Sequence, residues 1–170
     1  MTKKNERIEH VKLVETMKKG EITGKKEIEK IIKKAIICRF GFIDGDEAYI
    51  APTPFGYERN ALYYHGSLTD RKAGLSKENS KVYFEITTEA EPVRVKPGGP
   101  CNWMMVYSRV VGTGRIHILE KDEDKSHGLR VIVNHYAEGE LSFPKSKLDK
   151  TLVVKVNIES ITGIKSEALG

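Results

Sequence analysis

The sequence predicts a mainly β protein with some α, a small antiparallel barrel of six strands with helices at its ends. Three observations carry this. Six runs between Ile36 and Ile158 have strand-like patterning, and most of the links between them are turn-length. Only about three stretches keep a helical spacing of apolar residues. The chain has 170 residues, which suits one domain, and no repeat or low-complexity linker divides it.

The elements follow in order. Ile8, Val11, Val14 and Met17 recur every three residues and allow a short amphipathic helix that ends at Lys18-Lys19-Gly20. Cations in a last turn followed by glycine are a usual helix stop. Residues 1 to 20 are therefore expected to be an N-terminal helical extension, and residues 21 to 170 the barrel domain. Glu27 to Ala35 places Ile28, Ile31, Ile32 and Ala35 on one face, with lysines and glutamates covering the other. From Ile36 the period changes. Ile36 to Ile43 and Glu47 to Phe55 form a hairpin around Asp44-Gly45-Asp46. Ala61 to His65 is the third strand. Asp70 to Lys77 allows one or two helical turns, Asn79-Ser80 breaks them, and Lys81 to Thr88 is the fourth strand. Residues 95 to 100 read as a loop. Met104 to Leu119 contains a long strand in which Gly112 and Gly114 mark a bulge or a close backbone approach. Asp122-Glu123-Asp124 opens a helix with the acidic charge its N-terminus favours, and Leu129, Ile132, Val133 and Tyr136 give that helix a buried face. Thr151 to Ile158 is the last strand.

Composition bounds the function. At 39% hydrophobic and 31% charged, the chain can bury a core and remain soluble. Its apolar runs, such as Ala35 to Cys38 and Trp103 to Tyr107, are far too short to cross a bilayer, and no apolar signal core follows the basic first residues. A cytoplasmic protein with no membrane partner is expected. Cys38 and Cys101 make neither a disulfide framework nor a zinc site, and they read as two buried or half-buried thiols. Lysine plus arginine outnumber aspartate plus glutamate 29 to 24. The excess forms no basic stripe with interleaved aromatics, so nucleic acid is not expected as a partner.

Residues 50 to 75 are the most informative stretch. Pro52 and Pro54 lack a backbone N–H, so the strand that carries them cannot be an interior strand paired on both edges. After the aromatic strand come Gly66-Ser67-Leu68-Thr69-Asp70-Arg71-Lys72. Small residues, hydroxyls and two adjacent cations are what a phosphate needs. An apolar slot beside an anion site suits a phosphorylated aromatic cofactor. His65 has the ordinary pKa range for proton donation near neutral pH. His10, His117, His127 and His135 show no metal-ligand spacing, and no metal is expected. Trp103, Met104 and Met105 are either core or a lid over a ring. The run from Trp103 to Tyr107 places large apolar side chains on both faces of one strand, and a barrel interior absorbs only one face.

Several segments together resemble the pyridoxamine-phosphate-oxidase-like, FMN-binding split-barrel family, in the branch that includes nitroimidazole-resistance proteins. They are ICRFGFIDGDEAYIAPTPFGY, LYYHGSLTDRK, NSKVYFEI, CNWMMVYSRVVGTGRI, LRVIVNHYA and the final IESITGIKSE. The resemblance covers about Gly20 to Glu167. It implies a split β-barrel that is usually a homodimer, with FMN in a cleft between subunits. Carried over by position, Ala51, Pro52 and Thr53 would line the flavin ring, Ser67 would lie near the phosphate, and Arg71 and Lys72 would hold it. His65 matches the family's histidine at a strand end and would face cofactor or substrate as the catalytic candidate. The family often has glycine where this chain has Asp70. After the tyrosine at Tyr107 it has x-Ser-Val where this chain has Ser108-Arg109-Val110. Either Ser108 is displaced by one position or Arg109 takes its role. The resemblance implies an FMN-dependent oxidoreductase passing hydride or electrons to a small aromatic or nitro compound. A non-catalytic flavin or heme carrier or sensor on the same barrel is the alternative.

Overall fold

The computed structural model describes residues 12–14, 16–96, 100–139 and 141–169. The strands are β1 (Lys12–Val14), β2 (Thr16–Ile22), β3 (Cys38–Asp44), β4 (Glu47–Thr53), β5 (Phe55–Glu58), β6 (Ala61–Ser67), β7 (Lys81–Val95), β8 (Trp103–Ile118) and β9 (Thr151–Leu169). The helices are α1 (Lys25–Lys34), α2 (Arg71–Glu78), α3 (Asp122–Asn134) and the single turn α4 (Lys145–Leu148). One sheet holds all nine strands, with the path β4-β3-β7-β8-β9-β6-β5. On it β2 pairs antiparallel with β9, and β1 pairs parallel with β7.

The sheet curls until its two end strands, β4 and β5, are consecutive in the chain and joined through Pro54. The barrel is thus closed by covalent chain at one seam, not by a ladder there. Proline suits the seam because it offers no N–H to a ladder. β4 is an end strand, as its prolines require. The next amide, Phe55 N, donates to Tyr136 Oη (2.7 Å), so the break leaves no orphan at that position.

The core lies inside the barrel. Phe40, Phe42, Phe55, Leu62, Tyr64, Val82, Ile86, Val110 and Val156 are fully or almost fully buried, and Ile28, Ile31 and Ile32 cap one end from α1. Gly112 and Gly114 behave as expected. A Cβ at Gly112 would overlap the Ser160 carbonyl and the Phe84 ring, and one at Gly114 would lie 2.5 Å from Val156 Cγ1. The β8–β9 register also shifts between Thr113 and Gly114.

Two expectations are corrected. There are nine strands among the described residues, not six, and the N-terminal helix is absent where it is described. Residues 12–14 and 16–22 are strands, and residues 1–11 lie outside the described residues. The reason is a long-range partner. β9 runs eleven residues past its expected end, to Leu169, and offers Gly163–Leu169 as a template for β2. Ile22 then buries against Gly163, where a side chain would find Ile22 Cβ at 3.0 Å. Part of the loop expected at 95–100, residues 97–99, also lies outside the described residues. Cys38 is buried as expected, whereas Cys101 is exposed.

Candidate functional site

The site is built around the seam. β4 ends at Thr53 and β6 ends in Gly66-Ser67, and α2 begins immediately beyond. Asp70 is the N-cap of α2, and its Oδ1 accepts from Ala73 N (2.7 Å). A capping carboxylate satisfies an otherwise orphaned helix amide, which gives Asp70 a structural role at the start of α2. Gly66 is required beside it, because a Cβ there would lie 2.6 Å from Asp70 Oδ2 and 3.3 Å from Lys72 Cε.

Lys72 leaves the first turn of α2 and spans the seam. Its Nζ donates to the His65 carbonyl on β6 (3.2 Å) and to Thr53 Oγ1 on β4 (3.4 Å), and it lies 5.3 Å from the centre of the Tyr64 ring. Thr53 is buried, and its hydroxyl donates to Ala51 O (3.1 Å). Burial lowers the Lys72 pKa, and neighbouring Asp70 opposes that shift. Burial and then the Lys72 charge lower the His65 pKa from its ordinary 6.5. The charged imidazolium is therefore less populated near neutral pH than that of an ordinary histidine. Ser67 Oγ meets Thr69 Oγ1 at 3.0 Å and accepts from Thr69 N, so the turn before α2 presents hydroxyls at the surface.

Arg71 points elsewhere. Its Nε donates to Asp44 Oδ2 (2.7 Å), its Nη2 also contacts that oxygen, and Glu47 lies 4.0 Å away. The guanidinium stacks over the Tyr49 ring, 4.6 Å from its centre. Asp44 raises its pKa, chiefly through that hydrogen bond. The Arg-Lys pair is thus divided between an acidic hairpin turn and the seam.

Ser108 and Arg109 are not part of this group. β8 is separated from β6 by β9 and from β4 by β7 and β3. Strand alternation sends the two side chains to opposite faces. Ser108 is buried beneath α1 and donates to Glu89 Oε2 (3.3 Å). Arg109 is half-buried on the outer face, and its Nε is buried without a hydrogen-bond partner among the described residues.

That outer face holds a cavity of about 540 Å³, lined among others by Arg39, Ile50, Tyr83, Val111, Thr113 and Thr162. It does not contain Arg71 or Lys72. The two regions meet along β4, where Ile50 lines the cavity, Pro52 is in register with Arg39, and Thr53 holds Lys72. Sequence reasoning missed this cavity. A visible signal was Tyr83, an aromatic residue on the otherwise polar face of the strand from Lys81 to Thr88, where it is 63% exposed. The Asp44–Arg71 pairing had no local signal, because its partners are 27 residues apart.

No curated protein matches the sequence. Among solved structures, a candidate 5-nitroimidazole antibiotic resistance protein from Bacteroides thetaiotaomicron is 27% identical, with 90% of each chain covered and a TM-score of 0.77. The FAD and heme binding protein from Mycobacterium smegmatis shares the fold at 14% identity, with 88% of this chain and 74% of that chain covered and a TM-score of 0.79. A flavocytochrome from Azotobacter vinelandii does so at 16% identity, with 87% and 69% covered and a TM-score of 0.75. The family model for pyridoxamine 5'-phosphate oxidase matches residues 24–165. That match takes in every candidate residue from Ala51 to Arg109, and with it the chain belongs to the pyridoxamine 5'-phosphate oxidase family.

Proposed function

We propose that this chain binds FMN and acts as an oxidoreductase toward a small aromatic or nitro compound. The observation that carries the reading is β4, which joins an apolar cavity to a half-buried ammonium. From Ile50 to Thr53 is three residues, about 10 Å of strand, and alternation puts the two side chains on opposite faces. Because β4 is an end strand, a ligand with its ring on the outer face can pass its phosphate around the open edge at the seam to Lys72. The donor set fits. Lys72 keeps donor capacity beyond its two long hydrogen bonds, Ser67 and Thr69 offer hydroxyls, and Arg109 Nε is an unused buried donor on the cavity face. Arg71 contributes its charge only as far as Asp44 shares it.

A bound flavin supplies hydride or electron transfer, while the protein supplies orientation and electrostatics. In this reading Ala51, Pro52 and Thr53 border the ring through backbone groups, and Lys72 holds the phosphate. His65 offers a hydrogen bond to cofactor or substrate. The solved relatives include proteins described as FAD-binding, which supports a flavin of some kind.

The working unit in this proposal is a homodimer. The cavity is open on its outer side, and ligand pockets normally bury most of their ligand. Ile43, Ile50 and Tyr83 are exposed on the same sheet face, and Trp103, Met104 and Met105 are exposed further along β8. A second copy is a natural second wall, giving two equivalent sites. Light scattering tests this. A 19.2 kDa monomer that retains stoichiometric flavin would contradict it.

A non-catalytic flavin- or heme-binding role is the second reading, favoured by the two structural neighbours described as binding heme or as a flavocytochrome. Turnover of reduced nicotinamide with a nitroaromatic acceptor supports the first reading. A Soret band without turnover supports the second.

A further inference from the structure

The inner face of the sheet is apolar rung after rung until it reaches α1. The rung Ile86–Val110–Gly163–Ile22 is part of the core. The next one outward on that face is Thr88–Ser108–Lys165, running across β7, β8 and β9. Ser108 is 3% exposed and Thr88 is 9% exposed, and Thr88 Oγ1 is buried with no hydrogen-bond partner among the described residues. A buried hydroxyl without a partner is destabilising, so a rung of this kind in place of aliphatic side chains calls for a use.

Above it, α1 carries Lys26, Lys30 and Lys34 at successive intervals of four. That spacing places three cations on one helix face, and like charges at i,i+4 destabilise a helix. The three lysines, Lys165, Ser108 and two carboxylates, Glu27 and Glu89, line a cavity of about 320 Å³, so four cations face two anions there. Glu167 pairs with Lys165, but neither Lys26 nor Lys30 has an ion-pair partner among the described residues. One carboxylate already occupies the space. Glu89 accepts from Lys34 Nζ (2.7 Å) and from Ser108 Oγ (3.3 Å), and Lys34 lowers its pKa. Glu89 does so from a left-handed backbone conformation, φ 55°, beside the β7 register shift between Thr88 and Glu91. Non-glycine residues held there persist where the surroundings over-determine them.

We propose that this slot between α1 and the β7–β8–β9 face is a binding site for a phosphate group, either inorganic phosphate or the end of a phosphomonoester. It is separate from the Lys72 seam, and the Glu89 carboxylate holds the place of the anion. A phosphate there replaces Glu89 between Lys34 and Ser108 and engages Lys26 and Lys30, which relieves the cation repulsion along α1. The proposal does not depend on the flavin reading, because its side chains lie on α1 and the inner face of β7–β9, whereas the larger cavity is on the outer face of those strands.

The test is titration of the purified full chain with potassium phosphate at fixed ionic strength, followed by 31P line width. FMN is titrated in parallel as the monoester arm and riboflavin as the phosphate-free control. The double variant Lys26→Gln/Lys30→Gln should bind inorganic phosphate about tenfold or more weakly. Glu89→Gln should bind it several-fold more tightly, because the competing charge is gone. Ser108→Ala should weaken it without changing the fold by circular dichroism. Unchanged phosphate affinity in the double variant overturns the proposal, as does weakened affinity in Glu89→Gln. A phosphate signal lost in Lys72→Met and kept in the double variant assigns the anion to the seam and also overturns it. Loss of riboflavin and FMN binding in the wild type would sink the flavin reading and leave the phosphate result standing.

Discussion

Replacing Lys72 with methionine separates the structural work of this residue from its proposed work on a cofactor. In the free protein its ammonium makes two hydrogen bonds, of 3.2 Å and 3.4 Å. Both are long for N–H···O, so each contributes at most about 1 kcal/mol net. Against this stands the desolvation that lowers the Lys72 pKa. Methionine has similar length, keeps the contact over Tyr64 and removes that cost. Stability should change by no more than about 1 kcal/mol, a few degrees in Tm for a domain of this size. A charge-assisted contact to phosphate is worth about 1.5–3 kcal/mol, so FMN affinity should fall about 10- to 150-fold. The assay is quenching of flavin fluorescence at fixed salt, with riboflavin as control. FMN should lose affinity and riboflavin should not. Wild-type FMN affinity in Lys72→Met would refute the reasoning, as would equal losses for FMN and riboflavin.

Three further outcomes follow from the same geometry. Arg71→Ala should weaken FMN binding less than Lys72→Met does, because Asp44 already compensates the guanidinium; parallel titrations that rank the two variants the other way would contradict this. Gly56→Ala should lower Tm by the equivalent of about 3 kcal/mol, since its Cβ would lie 2.5 Å from the Val131 carbonyl and push α3 off β5; an unchanged melting curve would count against the α3 packing. The lowered His65 pKa means that the unfolded chain binds more protons below its ordinary value of 6.5. This contribution to stability is therefore present above 6.5 and lost as the pH falls, and His65→Asn should flatten the decline in Tm between about pH 7.5 and pH 5.5.

The barrel was legible where the signal is local. The change of period at Ile36, the Asp44-Gly45-Asp46 turn, the prolines of an end strand and the close approaches at Gly112 and Gly114 all read directly from residue type. The first strands were not. Thr16–Ile22 becomes a strand only because the far end of β9 waits for it, and spacing within a segment carries no information about a distant template. Of the candidate site residues, Lys72 and Thr53 are brought together by the fold. Arg71 was placed beside Lys72 by adjacency, yet consecutive helix positions diverge, and Asp44 decided its direction. Ser108 and Arg109 are alternatives for one position of a phosphate shell by resemblance, while strand alternation sends one under α1 and the other to the outer face.

The central claim is that this barrel holds a flavin along β4. Its most direct test is an absorbance spectrum of the purified chain, followed by FMN titration of the flavin-free protein. A flavin held along β4 gives flavin bands in the protein, or saturable FMN binding that approaches one per chain and weakens in Lys72→Met. A chain that binds no flavin even with FMN in large excess, or whose only chromophore is a Soret band, would contradict it.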